Sequence, residues 1–190
     1  NLPNYEISAL YDLYNATIGE NWYWMEELGN PWIFSSDCNP CMEHWQGINC
    51  TKESFNSSNL HIFSLTLDNM NLNGTLPSTI GNFHNITIFS LSNNNIFSTI
   101  PNSIQNWTSL EVFKLQYNLL TGTISADFQY LTYLTDFDIQ HNALYGTLPD
   151  ELSRLTSLYS LAINNNYFDG SLSYNYSKLT SLKYFDCDDN

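Results

Sequence analysis

The residues with the most reactive chemistry crowd into one segment. Cys38, Cys41, His44 and Cys50 fall within "CNPCMEHWQGINC", and a fourth cysteine, Cys187, stands alone near the end of the sequence. Three thiols and an imidazole are zinc-ligand types. The same cysteines could instead pair as disulfides, the default in an oxidising compartment. Asp136 and Asp138 flank Phe137 and suggest a carboxylate pair, but residues two apart on a strand share a solvated face, whereas acid–base catalysis needs a cleft that drives two pKa values apart. His61 and His84 are scattered, and of the histidines only His141 falls on a predicted strand surface. No Ser-His-Asp order, phosphate-cradling glycine loop or metal-binding helix motif is present. The expectation is a protein with no catalytic residues, no cofactor and no metal.

Asn-x-Ser/Thr acceptors occur at Asn15, Asn49, Asn56, Asn73, Asn85, Asn106 and Asn175, and N-linked glycans are expected there. With 5 basic against 19 acidic residues the net charge is −14. That balance disfavours nucleic acid and anionic membranes as partners. No apolar run approaches the roughly 18 residues that span a bilayer, so no membrane insertion is expected. With no secretory signal at Asn1, the sequence reads as a mature, soluble product or a fragment of one. Sequons, few lysines and clustered cysteines favour a secreted or cell-surface glycoprotein.

What must position these residues is a period of 24. Leu65, Phe89, Phe113, Phe137, Leu161 and Phe185 recur at that spacing. Two positions later come Leu67, Leu91, Leu115, Ile139, Ile163 and Cys187; three positions earlier, Ile62, Ile86, Leu110, Leu134, Leu158 and Leu182. Five residues after each anchor stand Asn94, Asn118, Asn142, Asn166 and Asn190, Met70 being the exception. An amide carries donors and an acceptor, so a stacked asparagine ladder can satisfy backbone groups left unpaired by a tight inner turn. Glycines follow at 74, 122, 146 and 170, with Ser98 in one unit, then Leu-Pro or Ile-Pro, with Ser125 and Ser173 in two of the proline slots. A unit of this kind cannot bury its apolar edge alone, but stacked units share a continuous core. An α/β solenoid follows, with a parallel sheet on its concave face.

Units such as "LEVFKLQYNLLTGTIS" and "LTDFDIQHNALYGTLP" resemble plant-type leucine-rich repeats. The Trp45-x-Gly47-Ile48-x-Cys50 ending resembles the N-terminal cap of that family. By resemblance Cys41 pairs with Cys50, with Cys38 as the alternative partner, because the first two cysteines are spaced further apart than the family pattern. Cys38 and Cys187 would then be left over and available for an intermolecular bond. The resemblance implies non-enzymatic receptor-like ectodomains or secreted glycoproteins, hence protein binding or cell adhesion.

Residues 1–59 are expected to form the cap: a helix carrying Ile7, Leu10, Tyr11 and Tyr14 that ends before Gly19, a segment with Trp22, Trp24 and Trp32 covering the first repeat, and a polar loop from Thr51 to Asn59. Residues 60–190 hold about five and a quarter repeats with an open C-terminal end. Alternation along strands puts Lys114, Gln116, Tyr117, Asp136, Asp138, Gln140 and His141 on the concave face as the most differentiated patch. Two roles fit: a module recognising a protein or glycan there, or a structural subunit of a filament or coat in which copies stack end to end.

Overall fold

The computed structural model describes residues 2–52 and 59–190. Helix α1 (Asn4–Ala16) buries Glu6, Ala9, Leu10 and Leu13 on one face. Spacings of three and four residues align those side chains. Strand β1 (Ile48–Lys52) then pairs antiparallel with β2 (Leu60–Thr66), with a bulge between Asn49 and Cys50. The loop expected from Thr51 to Asn59 does not include its first two residues, and residues 53–58 lie outside the described residues. Thr51 and Lys52 belong to β1, because the free edge of β2 offers a ladder of backbone groups that the returning chain satisfies. Asn56 lies outside the described residues.

From there each repeat alternates a lateral and an inner strand: β3 (Asn73–Thr75), β4 (Ile88–Ser90), β5 (Asn95–Ser98), β6 (Val112–Lys114), β7 (Leu119–Gly122), β8 (Asp136–Asp138), β9 (Ala143–Gly146), β10 (Ser160–Ala162), β11 (Tyr167–Phe168) and β12 (Tyr184–Asp186). The inner sheet runs β1-β2-β4-β6-β8-β10-β12, parallel from β2 onward; the lateral sheet runs β11-β9-β7-β5-β3. Register is pinned by the anchors, Leu65 to Phe89 to Phe113 to Phe137 to Leu161 to Phe185. A slip of one residue would turn every anchor into solvent.

The convex side consists of single 3₁₀ turns at 78–82, 102–106, 126–130, 150–154 and 174–178. Pro77, Pro101 and Pro149 precede three of them, with φ already set for the turn. Where serine takes the slot, its hydroxyl does a different job: Ser125 Oγ accepts from the Asp127 amide at 3.1 Å and Ser173 Oγ from the Asn175 amide at 3.2 Å. Of the recurring glycines, Gly122 and Gly146 end lateral strands, Gly74 lies within β3 and Gly170 falls two residues past β11. Gly122, Gly146 and Gly170 sit at φ +82 to +88°, and Ser98 at +75° accepts the strain they avoid. Gly74 has a further reason, since any side chain there would strike the Ala16 carbonyl where α1 docks on β3.

One apolar core runs from Leu2 through the cap to Leu179. Its cap portion is aromatic: Trp32 stacks on Trp45 at 5.8 Å between centroids, Phe34 meets Trp45 edge-on at 4.8 Å, and Trp22 packs on Trp32 at 5.0 Å. At the other end Phe185 is 38% exposed, although the anchors before it are fully buried.

Candidate functional site

The asparagine ladder fixes the inner turns on which the concave side chains stand. Asn142 donates through Nδ2 to the carbonyls of Leu115, Ile139 and Gln140, while its Oδ1 accepts from the Leu120 amide at 2.9 Å. Asn94, Asn118, Asn166 and Asn190 repeat the pattern one turn apart. Met70 breaks the ladder, and its thioether meets Gln46 Nε2 from the cap, whose Oε1 accepts from the Met25 amide at 2.9 Å. Gln46 therefore takes over part of the missing rung, a role that nothing periodic announces.

One residue before each rung the backbone is left-handed: Asn69, Asn93, Tyr117, His141, Asn165 and Asp189 have φ between +50 and +59°. That conformation throws the Tyr117 and His141 side chains onto the end of the concave face, where the rings stack at 4.3 Å with 14° between planes. Lys114 pairs across strands with Asp138, and Val112 with Asp136. Lys114, Gln116, Asp136, Asp138, Gln140 and His141 are half-buried and Tyr117 is exposed, all on the one face.

Asp138 is held by Gln140, whose backbone amide and Nε2 donate to its two oxygens, each at 3.2 Å. Burial nevertheless raises its carboxyl above the usual aspartate range, the Gln140 bonds and the charges of Lys114 and His141 opposing the rise without cancelling it. Asp136 instead accepts from Thr135 Oγ1 at 3.0 Å. The two carboxylates thus have separate partners.

Cys41 and Cys50 form a disulfide, with Cα atoms 5.8 Å apart, while Cys38 and Cys187 are free thiols and Cys187 is exposed. Cys187 occupies an inward slot by register, two residues after the last anchor, Phe185. Among the described residues no cluster of three or more His, Cys, Asp or Glu could hold a metal. No described helix is long and apolar enough to cross a membrane. Asn15, Asn49, Asn73, Asn85 and Asn106 are exposed, and Asn175 is half-buried with its Nδ2 on Asp150 at 3.1 Å.

One buried site was missed altogether. Glu6 of α1 is fully buried and accepts from the Ile62 amide and pairs with His61 Nδ1, both at 2.8 Å. The signal was present: Glu6 shares the helix face of Ala9, Leu10 and Leu13, where a charged residue must find a partner.

A parallel inner sheet, a lateral sheet, an asparagine ladder and a disulfide-bearing cap together make a leucine-rich repeat solenoid. Residues 84–144 match the leucine rich repeat family model. Among solved structures, the leucine-rich repeat ectodomain of the receptor kinase SOBIR1 from Arabidopsis thaliana is similar at TM-score 0.83 and 25% identity, over 100% of this chain and 95% of that one. The plant peptide hormone receptor RGFR1, in complex with RGF2, is similar at TM-score 0.64 and 30% identity, over 65% of this chain and 20% of that one. A plant ice-binding protein shares the fold at TM-score 0.77 and 24% identity, over 96% of this chain and 57% of that one. No curated protein matches the sequence.

Proposed function

We propose that the protein is a non-enzymatic extracellular recognition module that binds a protein or peptide partner along its concave face. The observation that carries this reading is the patch from Lys114 to His141. Two carboxylates, two amides, an ammonium and a stacked Tyr–His pair share one solvent-facing sheet, on turns held rigid by the ladder. Rigid placement of varied donors and acceptors limits the ordering cost of binding. The plant peptide hormone receptor RGFR1, which has the same fold, was solved with RGF2 bound. None of the exposed sequons lies on the inner sheet from β4 to β12, so glycans would leave that face open. N-glycans at most of the seven sites fit a secreted or cell-surface location, and intact mass that is unchanged by deglycosylation of native material would refute them.

The binding reading is tested by panning a random peptide display library against the wild-type protein. The selected peptides are then measured on a Tyr117→Ala, Asp138→Ala, His141→Ala triple variant. Affinity should fall about tenfold or more, as hot-spot losses do, with circular dichroism unchanged. Unaltered affinity would move the site off the concave face.

A further inference from the structure

The lateral sheet turns a second surface to solvent. Along its strands Ile96, Leu120, Leu144 and Phe168 enter the core, and the residues between them face outward. On that outer face Phe97, 45% exposed, lies between its cross-strand partners Thr75 and Leu119, and Leu119 is 56% exposed. Further along, Tyr145 pairs with Tyr167, and both are exposed. A single exposed apolar residue needs no explanation, but large ones side by side on neighbouring strands form a patch that something covers. None of the five strands contains an Asp, Glu, Lys or Arg, in a chain with 19 acidic residues. An uncharged occupant therefore matches this face, where a charged one would find no partner.

The strand at the edge indicates which occupant. Asn73-Gly74-Thr75 is an N-glycan acceptor contained entirely in β3, the first strand of the same sheet. Gly74 is buried against the Ala16 carbonyl, so Asn73 and Thr75 both point to the outer face, on the side of Phe97. Thr75 pairs directly with Phe97, and paired strands lie about 4.8 Å apart, so a sugar on Asn73 Nδ2 starts one strand away from the phenyl ring. The other edge of β3 is taken by the cap, where the Asn73 amide donates to the Thr17 carbonyl at 3.1 Å. N-acetylglucosamine is uncharged, and one face of its ring carries C–H groups that pack on the negative face of an aromatic ring. Its hydroxyls stay available to water and to Thr121, exposed two residues after Leu119 on the same face. A bulky polar saccharide laid on this patch would remove its apolar area from solvent.

Resting on the N-glycan reading above, we propose that the glycan on Asn73 lies back along the lateral sheet, its first sugars stacked on Phe97 and Leu119, as a covalently attached cover for that patch. Asn85, exposed in the turn before β4 and outside the lateral sheet, is the reference acceptor.

The native glycoprotein from a eukaryotic secretory host is digested with peptide N-glycosidase under non-denaturing conditions, and release is followed at each acceptor by peptide mass. The Asn73 glycan should come off about tenfold or more slowly than the Asn85 glycan. The difference should vanish in denatured wild type. It should vanish too in a Phe97→Ala, Leu119→Ala variant, whose circular dichroism should be unchanged because both replaced side chains are exposed. Equal rates at the two occupied sites would overturn the proposal and leave glycosylation standing. So would slow release that persists in the variant, and so would a bare Asn73 in a protein glycosylated elsewhere. A protein with no glycan at any acceptor would overturn the N-glycan reading as well. Equal rates in a wild type that sediments as a dimer, with the dimer lost in the variant, would assign the patch to a second copy, against the proposal.

Discussion

The cap and the repeats face the same physical problem, an inner turn whose backbone groups cannot all reach one another, and answer it in opposite ways. In the repeats a single amide does the work five times over, from Asn94 to Asn190, each bridging its own turn and the one before. In the cap nothing is used twice. Gln46 fills part of the rung, Trp32 Nε1 donates to the Gln46 carbonyl at 2.9 Å, a disulfide ties Cys41 to Cys50, and Glu6 pins α1 to β2. A periodic solution makes stability a near-sum over neighbouring turns. A one-off solution concentrates it in contacts that have no second copy. The repeats should therefore lose stability in equal steps wherever they are cut, whereas the cap should show individual behaviour at each contact.

The largest effect expected from this contrast lies in the ladder. Asn142→Ala would leave the Leu120 amide and the carbonyls of Leu115, Ile139 and Gln140 without their side-chain partner. At about 1–3 kcal/mol for an orphaned buried group, a loss of about 2–3 kcal/mol is expected, and Asn118→Ala should match it. Asn165 is a poor control despite its half-exposed side chain. Its φ of +54° means that alanine there would incur about 1 kcal/mol of left-handed strain. Asn102, exposed at the start of a convex turn, is the better reference and should lose less than about 0.5 kcal/mol. Urea midpoints that coincide for Asn142→Ala and Asn102→Ala would contradict the ladder account.

The same contrast explains what could be read in the sequence. Anything that repeats was legible: the anchors, the ladder, the columns that place Lys114, Asp138 and His141 on one face. Each of those positions is stated five or six times in the chain, so its period averages out the accidents of any one unit. The lateral sheet was not foreseen, because residues such as Phe97, Leu119 and Tyr145 alternate over three or four positions only, too short a run to separate strand from turn. Strand β1 was hidden for a related reason. Its partner is a sheet edge, and pairing with an edge imposes no composition on "INCTK". Gln46 and the Glu6–His61 pair join residues 24 and 55 apart in sequence, once each. A contact made once leaves no period to find, although a lone acid on an apolar helix face was a visible prompt.

The smallest expected effect, and the sharpest test of the cap's individuality, is the pH dependence of Glu6. Burial raises its carboxyl above the usual glutamate value. The Ile62 amide, the hydrogen bond and charge of His61, and the charge of His84 lower it, but not enough to offset burial. A group whose folded pKa is raised binds its proton more tightly in the folded state. Its contribution is fully present below the unfolded pKa and is lost as pH rises through the folded one. Glu6→Gln keeps an oxygen for the Ile62 amide and offers an NH to His61 Nδ1, but it cannot ionise. Wild type and variant should therefore unfold at similar urea concentrations near about pH 3.5, and the variant should gain on wild type as pH approaches about 7.5. No rung of the ladder carries an ionisable group, so Asn142→Ala should lower stability by the same amount at both ends of that range. If wild type instead gains on Glu6→Gln with rising pH, pairing with His61 outweighs the cost of burying the charge. The cap would then be held by an ion pair rather than by a neutral hydrogen-bonded acid.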